Sequence, residues 1–215
     1  MPVILPRMKR NTFVVAGLLA LVLVIGGYFT FSVWQKHAQQ RRLAALLQDT
    51  TEQLEQALTA RPSPELVKRI DSNLHAAKAP RDPALADAAE LYILGAREIA
   101  RRRVEVDRLA RQASASRQSL AGHMAGARRR NDGWFRDAME LKRRVERDHF
   151  ELGITLKALD ELLYTLPESE KRLADGVGPA LLLAENVRQG ARKRAQQEAT
   201  RASAALEQAR RLDIR

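Results

Sequence analysis

Histidine beside carboxylates is the residue combination in this chain that could hold a metal or move a proton, and four histidines occur. Glu146 precedes His149 by three residues, a spacing that places a carboxylate and an imidazole on one helix face, as in di-iron bundles. Such a centre needs a second Glu-x-x-His motif and two further glutamates. No other histidine has a glutamate three residues before it. We therefore expect no metal centre and a solvent-facing His149.

Motifs for other chemistry are missing from the sequence. It contains no metalloprotease His-Glu-x-x-His, no glycine-rich phosphate loop and no nucleophile elbow. Gly176 and Gly178 are followed by Pro179, an arrangement typical of a helix break rather than of a phosphate cradle. Cysteine is absent, which excludes disulfides and thiolate metal ligands. The sequence predicts neither an enzyme nor a bound cofactor.

A cluster of cations and aromatic rings surrounds the strongest turn signal in the chain, Asn131-Asp132-Gly133. Tryptophan and arginine are the residue types most enriched at binding hot spots. One hypothesis is that the cluster contacts a partner protein or an anionic surface; the alternative is that its aromatic rings close the end of a helical bundle. The candidate contact residues are Arg128, Arg129, Arg130, Trp134 and Phe135.

The longest uncharged stretch in the chain runs from Asn11 to Gln35 and is mostly apolar, with Arg10 before it and Lys36 after it. As a helix rising ~1.5 Å per residue, it is ~37 Å long, enough to cross the ~30 Å hydrocarbon core of a bilayer. Its apolar core is longer than the ~7–15 residues usual for a cleaved signal peptide. The stretch therefore predicts an uncleaved signal anchor that holds the protein in a lipid bilayer.

Aromatic residues gather at the end of this stretch, where such rings sit at the level of the lipid headgroups. They mark the expected exit from the membrane: Tyr28, Phe29, Phe31 and Trp34. Basic residues flank the stretch on both sides, so the positive-inside count is nearly tied. Since a short basic tail is usually the cytoplasmic end, we expect a cytoplasmic N-terminus and an extracytoplasmic helical domain at an inner (plasma) membrane.

Apolar residues after the anchor recur at helical spacing, and no segment alternates as a strand would. Leu43, Leu47, Thr50, Leu54 and Ala57 form a heptad seam, a row of residues spaced alternately three and four apart along one helix face. Longer seams start at Tyr92 and at Trp134. Proline and glycine breakers predict helices over 36–60, from Pro64 after a Ser63 cap, over 83–130, over 134–174 with an interruption at Pro167, and over 179–212.

These elements predict an all-α fold: a single N-terminal transmembrane helix followed by an elongated antiparallel helical bundle or coiled-coil hairpin. A break near Gly122 or Gly126 would instead give a shorter four-helix bundle. The expected regions are a short basic tail (1–11), the anchor (12–34), a membrane-proximal helical hairpin (35–80) and a long antiparallel bundle (81–215).

The net charge of +11 favours anionic partners. Acidic residues are interspersed among the basic ones, and no stacking platform or nucleic-acid-binding motif occurs, so the sequence argues against nucleic acid. The leading interpretation is a non-enzymatic membrane-anchored scaffold or adaptor in a cell-envelope assembly, binding a protein partner or forming a homo-oligomer through helical faces. Alternatives are a ligand sensor, a secretion or spanin-like rod, and a cytoplasmic tether for acidic partners.

Overall fold

The computed structural model describes residues 8–60, 62–77, 83–126, 132–177 and 181–214, without the side chains of 8–27, 29, 30, 83, 84, 172 and 175–177. This part of the chain contains helices and no strand, which confirms the all-α prediction. The helices are α1 (Met8–Thr59), α2 (Pro64–Ala77), α3 (Pro83–Gly126), α4 (Asp132–Val177) and α5 (Glu185–Arg211).

The chain divides into two compact units, Met1–Arg42 and Leu43–Arg215. In the first unit the described residues are helical from Met8, and α1 continues without a break through the end of the uncharged stretch. The second unit is a helical bundle with its own core. Among its fully buried side chains are Leu47, Leu54, Tyr92, Ile93 and Leu163.

The predicted anchor over 12–34 falls mainly on residues whose side chains lie outside the described set. Over the side chains that are described, no helix has a stretch long and apolar enough to cross a membrane. The transmembrane part of the fold prediction therefore stays a prediction, while the bundle is observed.

The last part of α1 packs through the seam that its sequence predicts. All five seam residues, from Leu43 to Ala57, are at most 3% exposed. The predicted start of α2 is also confirmed, because the Ser63 hydroxyl accepts a hydrogen bond from the Glu65 backbone N–H at 3.1 Å. A serine in this position satisfies a donor that the first helical turn would otherwise leave unpaired.

Helices α3 and α4 run antiparallel. Contacts between them pair rising residue numbers on one helix with falling numbers on the other: Gly95 with Leu166, Gln112 with Asp148, and His123 with Trp134. Both predicted seams face this interface, and Ile99, Val106 and Leu109 are buried along it. Helix α5 returns antiparallel to α4, as Arg192 meets Asp160 near its start and Lys142 meets the Leu212 carbonyl oxygen beyond its end.

Two predicted helix boundaries are wrong. Helix α4 continues through Pro167 to Val177, because Leu163 and Leu166 before the proline and Leu173 after it are all buried in the same core. That packing outweighs the loss of one backbone hydrogen bond. Helix α5 begins at Glu185 rather than near residue 179, since Ala184 has an extended backbone (φ −61°, ψ 135°).

Two helical glycines should respond differently to alanine. Gly122→Ala should raise the free energy of unfolding by about 0.5–1 kcal/mol, because alanine favours the helix and no atom lies within 4 Å of the added Cβ. At Gly95 the gain should be smaller, since the new Cβ would lie 3.3 Å from Leu166 Cδ1. Urea denaturation followed by circular dichroism measures both. Equal gains at the two sites would contradict the close α3–α4 contact at Gly95.

Candidate functional sites

The tip of the α3–α4 hairpin holds Trp134 in a set of mutual contacts. Its indole ring stacks on the His123 imidazole, with ring centroids 5.3 Å apart and an interplanar angle of 16°. The indole N–H points to the His123 carbonyl oxygen at 3.4 Å, and His123 Nε2 lies 3.1 Å from the Trp134 carbonyl oxygen. Phe135 meets the indole edge-on at 5.1 Å.

These contacts link the end of α3 to the start of α4. Trp134 is 8% exposed and Phe135 is half-buried. Arg128, Arg129 and Arg130 lie outside the described residues. The geometry of Trp134 favours its role in closing the bundle, and contact with a partner at this tip stays a prediction.

Trp134→Ala should lower the free energy of unfolding by about 3 kcal/mol, because a nearly buried indole and its stacking partner are lost together. Phe135→Ala should cost clearly less, since that ring is half-buried. Thermal melts of the two variants give the comparison. If both variants melted as the native protein does, the tip would be free to serve a partner rather than the fold.

The predicted membrane-interface residues lie in the first unit. Tyr28, Phe31 and Trp34 are 72%, 60% and 68% exposed, and the side chain of Phe29 is outside the described set. Large exposed rings of this kind are costly in water and suited to a headgroup layer. Their exposure leaves them available for that role, which remains a prediction.

A partly buried polar cluster, which the sequence did not predict, joins α1, α3 and the segment before α5. The Thr51 hydroxyl of α1 donates to the Leu181 carbonyl oxygen at 2.7 Å. Because that proton is committed, the Tyr92 hydroxyl of α3 donates to Thr51 Oγ1, also at 2.7 Å. Burial raises the pKa of Tyr92 to about 12. The phenol is therefore a fixed donor that ties α1 and the segment before α5 to α3.

An ion pair, Glu170 on α4 with Arg188 on α5, lies in the same region. Both side chains are nearly buried, and the Arg188 guanidinium also contacts Glu185. Burial raises the pKa of Glu170, and the charge of Arg188 opposes that shift only in part. Glu170 Oε1 has no hydrogen-bond partner among the described atoms. The pair is thus costly to bury, and removing either charged side chain should lower the free energy of unfolding strongly.

Tyr92 should make stability fall at alkaline pH. In the unfolded chain a tyrosine ionises near its ordinary value of 10, whereas the folded protein holds this phenol neutral until about pH 12. The stabilisation is complete below pH 10, and about 2 kcal/mol of it should be lost as the pH rises to 12. Urea denaturation of the native protein and Tyr92→Phe, at about pH 9 and about pH 12, isolates this term. If the difference in free energy of unfolding between the native protein and Tyr92→Phe were the same at both pH values, this prediction would be refuted.

The prediction of a solvent-facing His149 is wrong. His149 is 7% exposed, and its Nδ1 lies 2.9 Å from the Val145 carbonyl oxygen. Its neighbour Asp148 is fully buried and accepts a hydrogen bond from Gln112 at 2.8 Å. In the part of the chain that is described, no three histidine or acidic side chains converge as metal ligands would. The hydrogen bond between Gln112 and Asp148 connects α3 to α4.

The fold and these clusters define the class of the second unit: an all-α bundle whose buried polar groups bind helix to helix. Comparisons with protein-family models, with curated proteins and with solved structures found no match.

Proposed function

We propose that this protein is a non-enzymatic, single-pass membrane scaffold or adaptor that mediates protein–protein contacts in a cell-envelope assembly. Its N-terminus would lie in the cytoplasm and its helical bundle outside the cytoplasm, held at an inner membrane by the anchor over 12–34. The bilayer would be one partner, and a protein bound through helical faces the other.

The observation that carries this proposal is the composition of α1. One helix contains both the uncharged stretch from Asn11 to Gln35 and the buried seam from Leu43 to Ala57. A charge-free helical segment of this length is suited to lipid and has no comparable role on a water-exposed surface. The same helix would therefore supply the anchor and part of the bundle core.

Exposed apolar side chains on the bundle support the second half of the proposal. Met139, Phe150 and Ile154 on α4 are 41%, 53% and 52% exposed, although their helix is otherwise rich in charge. Single exposed apolar residues are ordinary on protein surfaces. Several on one helix provide contact area that a protein partner could cover.

Topology labelling tests the anchor and the side of the membrane together. Because the chain has no cysteine, a variant with Ala204→Cys, at an exposed position of α5, would carry a single thiol. A membrane-impermeant thiol reagent applied to intact cells should label this variant. Val3→Cys, on the other side of the predicted anchor, is the matched control and should react only after lysis.

Labelling of Ala204→Cys before lysis supports an envelope scaffold. The reverse pattern, in which only Val3→Cys reacts in intact cells, would place the bundle in the cytoplasm and replace the envelope role with that of a membrane tether. Equal protection of both thiols, with the protein recovered in the soluble fraction, would contradict the anchor itself.

A further inference from the structure

The face of α4 opposite the core carries a row of exposed residues, which we call the outer seam and whose members are seven positions apart on either side of a central pair four apart. Its central residues are Phe150 and Ile154, both more than half exposed. Steps of seven residues away from them reach four charged side chains on the same side of the helix, because seven residues make about two turns. All six outer-seam residues are exposed: Arg136, Arg143, Phe150, Ile154, Glu161 and Glu168.

The charges of the outer seam are separated along the helix. The two arginines precede Phe150 and the two glutamates follow Ile154. Among the described residues, none of the four charged side chains forms an intramolecular ion pair or hydrogen bond, although several neighbours on α4 and α5 do. The outer seam therefore offers an apolar centre with a cationic half and an anionic half, all unpartnered within the described bundle.

We propose that the outer seam binds a second copy of this chain, with the two α4 helices antiparallel about a twofold axis between Phe150 and Ile154. In this register Phe150 of one copy meets Ile154 of the other. Arg143 then lies opposite Glu161, and Arg136 opposite Glu168, each pair occurring twice by symmetry. The charges of the outer seam are complementary between two copies only when the two α4 helices are antiparallel.

A parallel pairing of the same helices places each residue beside its own copy. Arg143 would meet Arg143 and Glu161 would meet Glu161, so every charged contact of the seam would be repulsive. The antiparallel register also contains one unfavourable pair, Arg147 opposite Lys157 beside the central apolar residues, which likewise occurs twice by symmetry. Lys157→Glu should accordingly strengthen the self-association.

Charge reversal in the full-length protein, solubilised in a mild detergent, tests the pairing. Sedimentation should show a dimer for the native chain at low ionic strength, weakening as salt screens the ion pairs. Arg143→Glu and Glu161→Arg should each weaken the dimer on the order of tenfold or more, since each reversal alters two symmetry-related contacts. The double variant should restore it, because the pair is re-formed with its charges exchanged.

Lys193→Glu is the matched control, because it changes net charge by the same amount as Arg143→Glu at an exposed position on α5. It should leave the dimer unchanged. Circular dichroism should show native helicity for every variant, since the altered side chains lie outside the core. A native chain that stays monomeric at low salt would overturn the proposal, as would a dimer that all the reversals leave unchanged.

Cross-linking reports the direction of the helices independently. A chain with Arg143→Cys and a differently tagged chain with Glu161→Cys should form a mixed disulfide, whereas Arg143→Cys alone should not cross-link to itself. Self-cross-linking at residue 143 would show a parallel pair and refute the assignment.

The inference names a partner for the proposed scaffold and rests on that role, but its assay reads α4 alone. A failed dimer with a correctly labelled Ala204→Cys leaves the scaffold in place, while a dimer without membrane insertion removes only the anchor.

Discussion

Arg188→Met should lower the free energy of unfolding by about 3–5 kcal/mol, because it leaves the Glu170 carboxylate buried without its cation. Glu170 is 8% exposed, and one of its oxygens already lacks a partner among the described atoms. Burial raises the pKa of Glu170 even beside the arginine, and little solvent reaches the carboxylate to replace the lost contact. Urea denaturation followed by circular dichroism measures the change.

Two variants show whether this loss comes from the unpaired charge. Arg188→Met combined with Glu170→Met should recover most of the stability, because an apolar pair of similar volume removes the charge from the core. Arg210→Met breaks an ion pair with Glu207 in which both side chains are more than half exposed, and should cost less than about 1 kcal/mol. An Arg188→Met loss no greater than that of Arg210→Met would mean that the Glu170 pair is solvated in solution.

Leu47→Ala should lower the free energy of unfolding by about 2–5 kcal/mol, because it removes a fully buried side chain and leaves a cavity in the core. The reason for choosing this leucine is its position on α1, outside the long antiparallel helices. A large loss would show that the end of α1 is an integral part of the bundle.

Leu91→Ala is the matched control, since this leucine of α3 is 49% exposed and fills no enclosed space. We expect a change of less than about 1 kcal/mol from its partial burial. If Leu47→Ala and Leu91→Ala had the same small effect, residues 43–59 of α1 would not belong to the core, and their placement in the second unit would be wrong.

Helical periodicity predicted the bundle core well, because the residues that a core requires recur at the spacing of a helix face. The seams from Leu43 and from Tyr92 coincide with the buried faces of α1 and α3. Local chemistry predicted the Ser63 cap for the same reason: it depends on neighbours in the chain. Arg102, ten residues after Tyr92 along the same seam, forms an ion pair with Glu98 one turn away, at 2.9 Å.

Features that depend on distant partners could not be read in this way. Pro167 is a breaker by its own chemistry, and only the burial of residues on both sides of it explains why α4 continues. The Thr51–Tyr92 bond joins residues 41 positions apart in the chain, so no local pattern indicates it. The outer seam could not be predicted for another reason. Most of its residues are charged, and they can be assigned to one exposed face only when the buried face of α4 is known.

Membrane extraction at alkaline pH is the measurement that tests the central claim most directly. The native chain should remain in the membrane pellet, because a continuous apolar helix of this length holds a protein in the bilayer. A variant with Leu19→Arg and Leu23→Arg should be released or fail to insert, since each arginine at the middle of a membrane helix costs about 3 kcal/mol. If the native chain and the double variant were both recovered in the soluble fraction, this result would contradict the account of the protein as a membrane-anchored scaffold.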